Sequence, residues 1–223
     1  MDTVEQDIAI AQLRGRIYGL LTGGFKGLTE EYFQYLRGQY IPVWHELVQH
    51  IQGGEGFLPL LEKMQGALDA VSFDVLYGEY YNLFMPTGMM LAIPSEMEYV
   101  NKETPQHSLS QQAQLADIAG FYRAFGLDVA TNTPERVDHI TTELEYMHVM
   151  ALKEATALAN NDAENACIVV DAQRKFITDH LGRWADKFSE RLVTTAGSEF
   201  YAALGETLAL WINIDKQILF DAG

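Results

Sequence analysis

Apolar residues recur at intervals of three and four along most of this chain, and this spacing places them on one face of a helix. Near the N-terminus the pattern runs through Ile8, Leu13, Ile17, Leu20 and Leu21. The alternation of apolar and polar residues that is typical of β-strands is nearly absent. We therefore predict an all-α fold, a helical bundle of about 8–10 helices.

Caps and breakers set the expected helix boundaries. The predicted helices, in chain order, are 4–21, 30–37, 43–51, 57–67, 69–83, 111–125, a long one from 133 to about 158, one over 177–192 and a last one over 200–218. Gly23-Gly24 is expected to end the first helix, Ser108 or Ser110 to cap the sixth, and Thr133 with Pro134 to begin the seventh. The last helix is apolar on two faces, so we expect it near the centre of the bundle.

Residues 85–106 lack a sustained helical period and contain three of the six prolines. Four methionines and several other apolar residues make this segment too apolar for a solvated linker. We predict an ordered loop or hinge near 85–106. It joins N-terminal helices (1–84) to C-terminal helices (107–223) within a single domain spanning 1–223.

Charge and cysteine content exclude several classes of function. The chain has 15 basic against 31 acidic residues and a net charge of −16, so nucleic acid is not an expected partner whereas a cationic partner is favoured. Cys167, the single cysteine, cannot form an intrachain disulfide, and we expect it to be a buried structural thiol. The N-terminus is acidic and no apolar run is long enough to span a membrane. We expect no membrane insertion and a cytoplasmic location.

Polar residues cluster most densely at 138–148, where His139 and Glu143 share a helix face and Glu145-x-x-His148 has the spacing used in di-iron bundles. Such a centre needs a second Glu-x-x-His motif, and the sequence has none. Nucleophile-elbow and phosphate-loop motifs are absent as well. We predict no catalysis, no cofactor and no metal, and keep as an alternative a metal-dependent enzyme using His139, Glu143, Glu145 and His148.

Two stretches lack Lys and Arg altogether, residues 64–101 and 137–152. The first contains five carboxylates together with Tyr77, Tyr80, Tyr81, Phe84 and Met85. Carboxylates beside aromatic and methionine side chains suit a peptide that is basic at one end and apolar at the other. The same spacing fits ordinary helix packing, so a helical adaptor without a peptide groove is a further alternative.

Four segments, in order along the chain, resemble the motifs of one protein family. Residues 12–21 resemble an Arg-x-x-x-Tyr-x-x-Leu helix, and 80–99 resemble a Tyr-x-x-Leu-Phe signature followed by a proline-containing block. Residues 138–147 resemble Asp-His-x-x-x-Glu-Leu-x-Phe-Met, and 173–201 resemble Gln-x-x-Phe-x-x-x-His-Leu-x-x-Trp with a later Phe-Tyr. Together these motifs resemble those of the TorD/DmsD/NarJ family of redox-enzyme maturation chaperones. The second segment departs from the pattern at Pro86-Thr87, where the family has Gly-Pro.

The resemblance implies an all-helical cytoplasmic chaperone. It implies binding of the twin-arginine signal peptide and apo catalytic subunit of a molybdenum-cofactor oxidoreductase, help with cofactor insertion, and prevention of premature Tat export. It also implies either a monomer or a domain-swapped dimer, with 85–106 as the hinge.

The family's peptide-binding region corresponds here to Tyr80, Leu83, Phe84, Pro94, Asp138 and His139. The two base-free stretches add Met85, Glu96 and Glu143 to the expected peptide-binding set. We expect Asp138 and Glu143 to receive the arginines of the peptide, and the aromatic and methionine residues to take its apolar part.

Overall fold

The computed structural model describes residues 3–100, 107–128 and 136–221 and confirms the all-α prediction. The helices are α1 (Thr3–Phe25), α2 (Glu30–Tyr35), α3 (Ile41–Val48), α4 (Leu58–Ala70), α5 (Phe73–Phe84), α6 (Met97–Val100), α7 (His107–Ala124), α8 (Ile140–Ala159), α9 (Ala163–Asp179), α10 (Leu181–Thr195) and α11 (Glu199–Asp221). Within the described residues, ten helices are longer than a single turn, in agreement with the expected number. Within the described residues, β-structure is limited to one isolated antiparallel bridge between Ser95 and His139.

Helix α1 does not end at the Gly23-Gly24 pair, as we had predicted, but continues to Phe25. Gly24 serves packing instead, because a Cβ atom at this position would lie 2.7 Å from both the Tyr40 hydroxyl and a methyl group of Leu204. The predicted helices at 30–37 and 43–51 are joined by a π-helical turn, Leu36–Tyr40, so that the chain is helical from Glu30 to Val48.

Two predicted boundaries in the C-terminal half are wrong. Helix α8 begins at Ile140 rather than near Thr133, and its N-cap is His139; residues 129–135, including Thr133 and Pro134, lie outside the described residues. The predicted helix over 177–192 is broken at His180, whose φ of −127° and ψ of −98° separate α9 from α10. Both differences place a histidine at a helix end.

The described part of the predicted loop, residues 85–100, is folded back on the end of α5. The Leu91 N–H donates to the Asn82 carbonyl at 3.1 Å, and the Ala92 N–H donates to the Leu83 carbonyl at 3.0 Å. From α10, the Arg191 Nε donates to the Leu91 carbonyl at 2.7 Å. Helix α7 begins before the expected 111, at His107, and the side chains of Ser108 and Ser110 lie outside the described part.

The chain forms two compact units, each assembled from separate stretches of sequence. The first unit comprises residues 1–23, 95–184 and 216–223, and the second comprises 24–94 and 185–215. This division does not coincide with the predicted halves 1–84 and 107–223, and the single-domain description stays a prediction.

The first unit is held together by polar contacts inside its core. The Arg14 guanidinium of α1 donates to Glu154 of α8 at 2.7 Å and to Gln173 of α9 at 2.6 Å. Between the helices, the rings of Tyr146 and Phe176 pack with centroids 4.4 Å apart.

The core of the second unit is aromatic. Trp44 stacks on Phe57 with centroids 5.9 Å apart. Phe84 lies at the centre of a second cluster, within 6.4 Å of four other rings, those of Phe25, Tyr80, Phe188 and Tyr201.

Cys167 is exposed on α9, so the prediction of a buried thiol is wrong. Its neighbours on the helix explain the difference, because Ala166 and Val169 form the buried face of α9 and turn Cys167 outward. In the parts of the chain that the structure describes, no helix is both long and apolar enough to cross a bilayer.

Candidate functional site

The bridge between Ser95 and His139 brings two of the predicted site segments side by side within the first unit. The Glu96 N–H donates to the Asp138 carbonyl at 3.0 Å, and the Met97 N–H donates to the Asp138 carboxylate at 3.3 Å. Asp138 therefore fixes the segment that starts at Ser95 through both its main chain and its side chain.

The Asp138 carboxylate also binds a guanidinium group. Arg136 Nε lies 2.8 Å from Oδ1, and Arg136 Nη2 lies 3.1 Å from Oδ2. This two-point geometry is the strongest arrangement that arginine makes with a carboxylate. Asp138 has no exposed surface, whereas 57% of the Arg136 side chain is accessible.

His139 is the N-cap of α8, and its buried ring is neutral. Its Nδ1 accepts hydrogen bonds from the Thr141 hydroxyl at 2.6 Å and from the Thr141 N–H at 3.3 Å, which caps α8. Burial lowers the pKa of His139 to about 4, although the charge of Asp138 acts in the opposite direction. The ring is therefore neutral at physiological pH, and because Nδ1 accepts, the hydrogen is on Nε2.

Glu96 and Glu143 are both completely buried, and their carboxyl groups interact electrostatically. Glu143 also accepts a hydrogen bond from Trp184 Nε1 at 3.0 Å, and His180 Nδ1 lies 3.2 Å from Glu96. Burial raises the pKa of Glu143 well above its usual range, and the negative charge of Glu96 raises it further against the opposing effect of Trp184. Burial thus favours the protonated form of the Glu143 carboxyl.

His180 connects this buried pair to the surface. Its Nε2 lies 3.3 Å from Asp117 Oδ2, and the Asp117 side chain is 64% exposed. The break between α9 and α10 points the ring at both carboxylates, while Phe121 and Phe176 pack against it with centroids 5.5 and 5.2 Å away.

The remaining predicted site residues lie in the second unit. Leu83 is buried, and Phe84 belongs to the aromatic cluster with 7% of its surface exposed. Pro94 is buried too, whereas Tyr80 is half-buried and Met85 is 37% exposed. Tyr80 and Met85 are therefore the members of this group that present substantial surface to a partner.

The predicted residues thus form two groups. Glu96, Asp138, His139 and Glu143 lie together in the first unit, and the group of Tyr80, Leu83, Phe84, Met85 and Pro94 lies in the second. That both groups form one peptide-binding cleft stays a prediction.

The expected roles of Glu143 and Asp138 as acceptors for arginine stay predictions. Glu143 is completely buried, and burial raises its pKa and so disfavours the charged form that would pair with an arginine. Asp138 can offer a two-point contact to an arriving guanidinium only if the side chain of Arg136 leaves it, since Arg136 already makes that contact with both oxygens.

Sequence reasoning missed three participants, namely Arg136, His180 and Trp184. Arg136 lies within the helix predicted from residue 133. His180 and Trp184 belong to the family motif over 173–201, which does not assign them to the peptide-binding region. The Gly182 that follows His180 was the available signal for a helix break at this point.

The residues of the alternative metal site do not converge. His148 Nδ1 lies 2.7 Å from the Gly15 carbonyl, and Glu145 is exposed. Across residues 3–100, 107–128 and 136–221, no three His, Cys, Asp or Glu side chains are grouped to hold a metal ion.

Comparison with known proteins identifies several relatives, two of which cover nearly the whole chain. A perchlorate reductase assembly chaperone protein of Dechloromonas aromatica (strain RCB) is 25% identical over 99% of both chains. A chaperone protein TorD of Shewanella sp. (strain ANA-3) is 26% identical over 97% of this chain and 98% of its own. A chlorate reductase assembly chaperone protein of Ideonella dechloratans is 28% identical over 68% of this chain and 74% of its own.

The same fold occurs in a solved structure. A crystal structure from Archaeoglobus fulgidus, of a protein assigned to redox enzyme maturation, aligns with a TM-score of 0.51 and 18% identity. The alignment covers 90% of this chain and 93% of the other.

The protein is therefore an assembly chaperone of redox enzymes and not a catalyst. It belongs to the family described as nitrate reductase delta subunit, whose family model matches residues 52–190.

Proposed function

We propose that this chaperone binds the twin-arginine signal peptide and the apo catalytic subunit of a molybdenum-cofactor oxidoreductase. It acts in the cytoplasm, holds the subunit until the cofactor is inserted, and so prevents premature export through the Tat pathway. Relatives named as assembly chaperones of perchlorate and chlorate reductases support a reductase catalytic subunit as the client.

The observation that carries the proposal is the Asp138 carboxylate. It binds a guanidinium group through both oxygens, at 2.8 and 3.1 Å, and the Met97 N–H holds it in place. An arginine of a signal peptide presents the same planar pair of donors. The net charge of −16 also favours the approach of a cationic peptide.

His139 suits the neighbouring main chain of such a peptide. Its neutral ring has Nδ1 engaged with Thr141, so Nε2–H is the group left to donate to a peptide carbonyl. In the second unit, Tyr80 and Met85 would contribute contacts to the apolar stretch that follows the arginines.

Isothermal calorimetry with synthetic signal peptides tests the proposal. We expect twin-arginine peptides of molybdenum oxidoreductases to bind at low salt, and peptides with both arginines replaced by lysine to bind more weakly because lysine lacks the planar fork. Absence of binding for peptides from several such enzymes would refute the proposal.

A matched pair of variants ties the binding to Asp138. Asp138→Asn should weaken peptide binding, since it removes the charge that faces the guanidinium. Asp171→Asn makes the same chemical change at an exposed position of α9 and should leave binding unchanged. Equal binding by both variants would remove Asp138 from the site and would favour the adaptor alternative.

A further inference from the structure

The Asp138 carboxylate, which the proposed function makes the acceptor for an arginine of the client, already binds Arg136 of the same chain. Arg136 is two residues away from Asp138 and takes Oδ1 with Nε and Oδ2 with Nη2. A second guanidinium cannot form the same two-point contact while Arg136 is in place, because both oxygens already accept from it.

The Arg136 side chain can leave without disturbing the main chain around it. The Arg136 carbonyl accepts from the His139 N–H at 3.1 Å and from the Thr142 hydroxyl at 3.2 Å. These bonds fix the backbone at the start of α8 whether or not the guanidinium is bound. The side chain itself is 57% exposed, so water can solvate the guanidinium when it moves away.

Asp138 likewise keeps its position when Arg136 moves. Its carbonyl accepts from the Glu96 N–H and its Oδ2 from the Met97 N–H. The empty acceptor would therefore be preorganised for another guanidinium, and the exchange would conserve the number of charge-assisted hydrogen bonds.

We propose that Arg136 is an internal competitor that occupies the Asp138 acceptor in the free chaperone and is displaced by an arginine of the client. This inference rests on the proposed function and deepens it, because it names the residue that sets how tightly the arginine is held. The competition keeps the buried carboxylate paired when no client is present and lowers the affinity, so that the client can be released.

The size of the effect follows from the fraction of molecules in which Asp138 is free. If Arg136 occupies the acceptor about 90% of the time, the apparent affinity for a peptide arginine falls about tenfold. Removal of the Arg136 side chain should therefore raise the apparent affinity about tenfold. The gain should be equal for every peptide that binds Asp138, because Arg136 sets the fraction of free acceptor before any peptide binds.

The first test measures the affinity of a twin-arginine peptide for Arg136→Ala by calorimetry. We expect binding about tenfold tighter than wild type. Arg123→Ala, at an exposed position of α7 in the same unit, makes the same change in net charge and should alter affinity less than about twofold. Unchanged or weaker binding by Arg136→Ala, or an equal gain in both variants, would overturn the proposal.

A double-mutant cycle separates competition from a general charge effect. In an Asp138→Asn background the Arg136→Ala change should not raise the peptide affinity, since the acceptor for which Arg136 and the peptide arginine compete is altered. A tenfold gain that persists in this background would contradict the proposal. Arg136→Gln provides a second variant with a polar side chain, and thermal unfolding followed by circular dichroism confirms that each variant is folded.

A direct measurement on the wild-type protein needs no substitution at Arg136. The Nε–H resonance of Arg136 should report a bonded, slowly exchanging group in the free chaperone. It should move to the position of a solvated arginine when the twin-arginine peptide is added. If wild type binds no such peptide, the proposed function itself fails. If it binds while this resonance stays unchanged, only the competition fails.

Discussion

The two units of this chaperone have cores of different chemistry. In the first unit, Arg14, Glu96, Asp138, Glu143 and His180 are all at most 2% exposed, and they meet in hydrogen-bonded networks. In the second unit the largest buried side chains are aromatic, among them Trp44, Phe57 and Phe84. Both units are helical, so the difference lies in what fills the space between helices.

This difference predicts different responses to mutation and pH. An aromatic core loses stability when a substitution leaves a cavity, and that loss does not depend on protonation. A core of buried charges loses stability when one partner is removed, and its contribution to stability changes with pH. The proposed recognition of a guanidinium group belongs to the first unit, because Asp138 lies there.

The largest expected loss comes from the aromatic core. Phe84→Ala removes the ring that contacts Phe25, Phe188 and Tyr201, and should lower the free energy of unfolding by about 4 kcal/mol. The loss should be the same at pH 5 and pH 8. Val75→Ala on the same helix, at a 58% exposed position, should cost less than about 0.5 kcal/mol in urea denaturation.

A loss for Phe84→Ala no larger than that for Val75→Ala would mean that this cluster does not stabilise the second unit. The variant also bears on peptide binding. Its peptide affinity should be measured below its unfolding temperature, so that lost binding is not mistaken for lost folding. Phe84 is 7% exposed and packs against Tyr80, so a weaker affinity of the folded variant would be an indirect effect through Tyr80.

The next effect belongs to the polar core. Arg14→Met leaves the Glu154 carboxylate without its guanidinium partner and the Gln173 side-chain oxygen without the N–H that donates to it. It should lower the free energy of unfolding by about 3 kcal/mol. Arg16→Met, at an exposed position on the same helix, is the control and should cost far less.

Adding Glu154→Leu to Arg14→Met sharpens the comparison. Because an apolar replacement of a whole buried pair is often neutral, the double variant should regain part of the stability that the single variant loses. A double variant less stable than Arg14→Met alone would show that the loss comes from packing, as in the second unit, and not from an unpaired charge.

How far the sequence predicts this molecule depends on whether each feature is local. Helical spacing identified nearly all of the long helices, because each amphipathic face is encoded within its own segment. The predicted start of α8 at Thr133 was wrong because the helix begins after His139, which is its N-cap. His139 is paired with Ser95 in a bridge that no local sequence pattern reveals. The break at His180 was missed because the apolar spacing continues through it.

The candidate site was partly predictable for the same reason. Family motifs and base-free stretches identified Glu96, Asp138, His139 and Glu143, and the structure places these four together. Their burial and charge were not predictable, because they depend on partners distant in sequence. Trp184 is 41 residues from Glu143, and His180 is 84 residues from Glu96.

A third prediction concerns the raised pKa of the buried Glu143 carboxyl. The raised pKa of Glu143 means that the folded state holds a proton that the unfolded state releases above the ordinary Glu pKa. The stability of the wild type should therefore fall, relative to Glu143→Gln, as pH rises above about 4.5. The slope should be at most about 1.4 kcal/mol per pH unit.

Urea denaturation of both proteins between pH 4.5 and 8 measures this difference. Glu145→Gln, at an exposed position of α8, should run parallel to the wild type. Parallel curves for Glu143→Gln as well would mean that the pKa of Glu143 is not raised in the folded state, contrary to what its burial implies.

The smallest effect expected at neutral pH comes from His139→Asn. Asparagine caps a helix well, so the variant should lose only about 0.5 kcal/mol at pH 7 and keep α8 intact. The pH dependence should have the opposite sign to that of Glu143. The pKa of His139 is lowered from 6.5 to about 4, so the stability that the buried neutral ring contributes is complete above pH 6.5 and is lost as pH falls towards 4.

The wild type should therefore lose stability relative to His139→Asn between pH 6.5 and 4, while His50→Asn, at an exposed position in the second unit, should not produce this difference. Peptide binding gives an independent readout, because asparagine retains the cap but does not reach as far as Nε2. If His139→Asn binds the peptide as tightly as wild type while Asp138→Asn does not, His139 serves only to cap α8, and the Asp138 carboxylate alone accounts for recognition in the first unit.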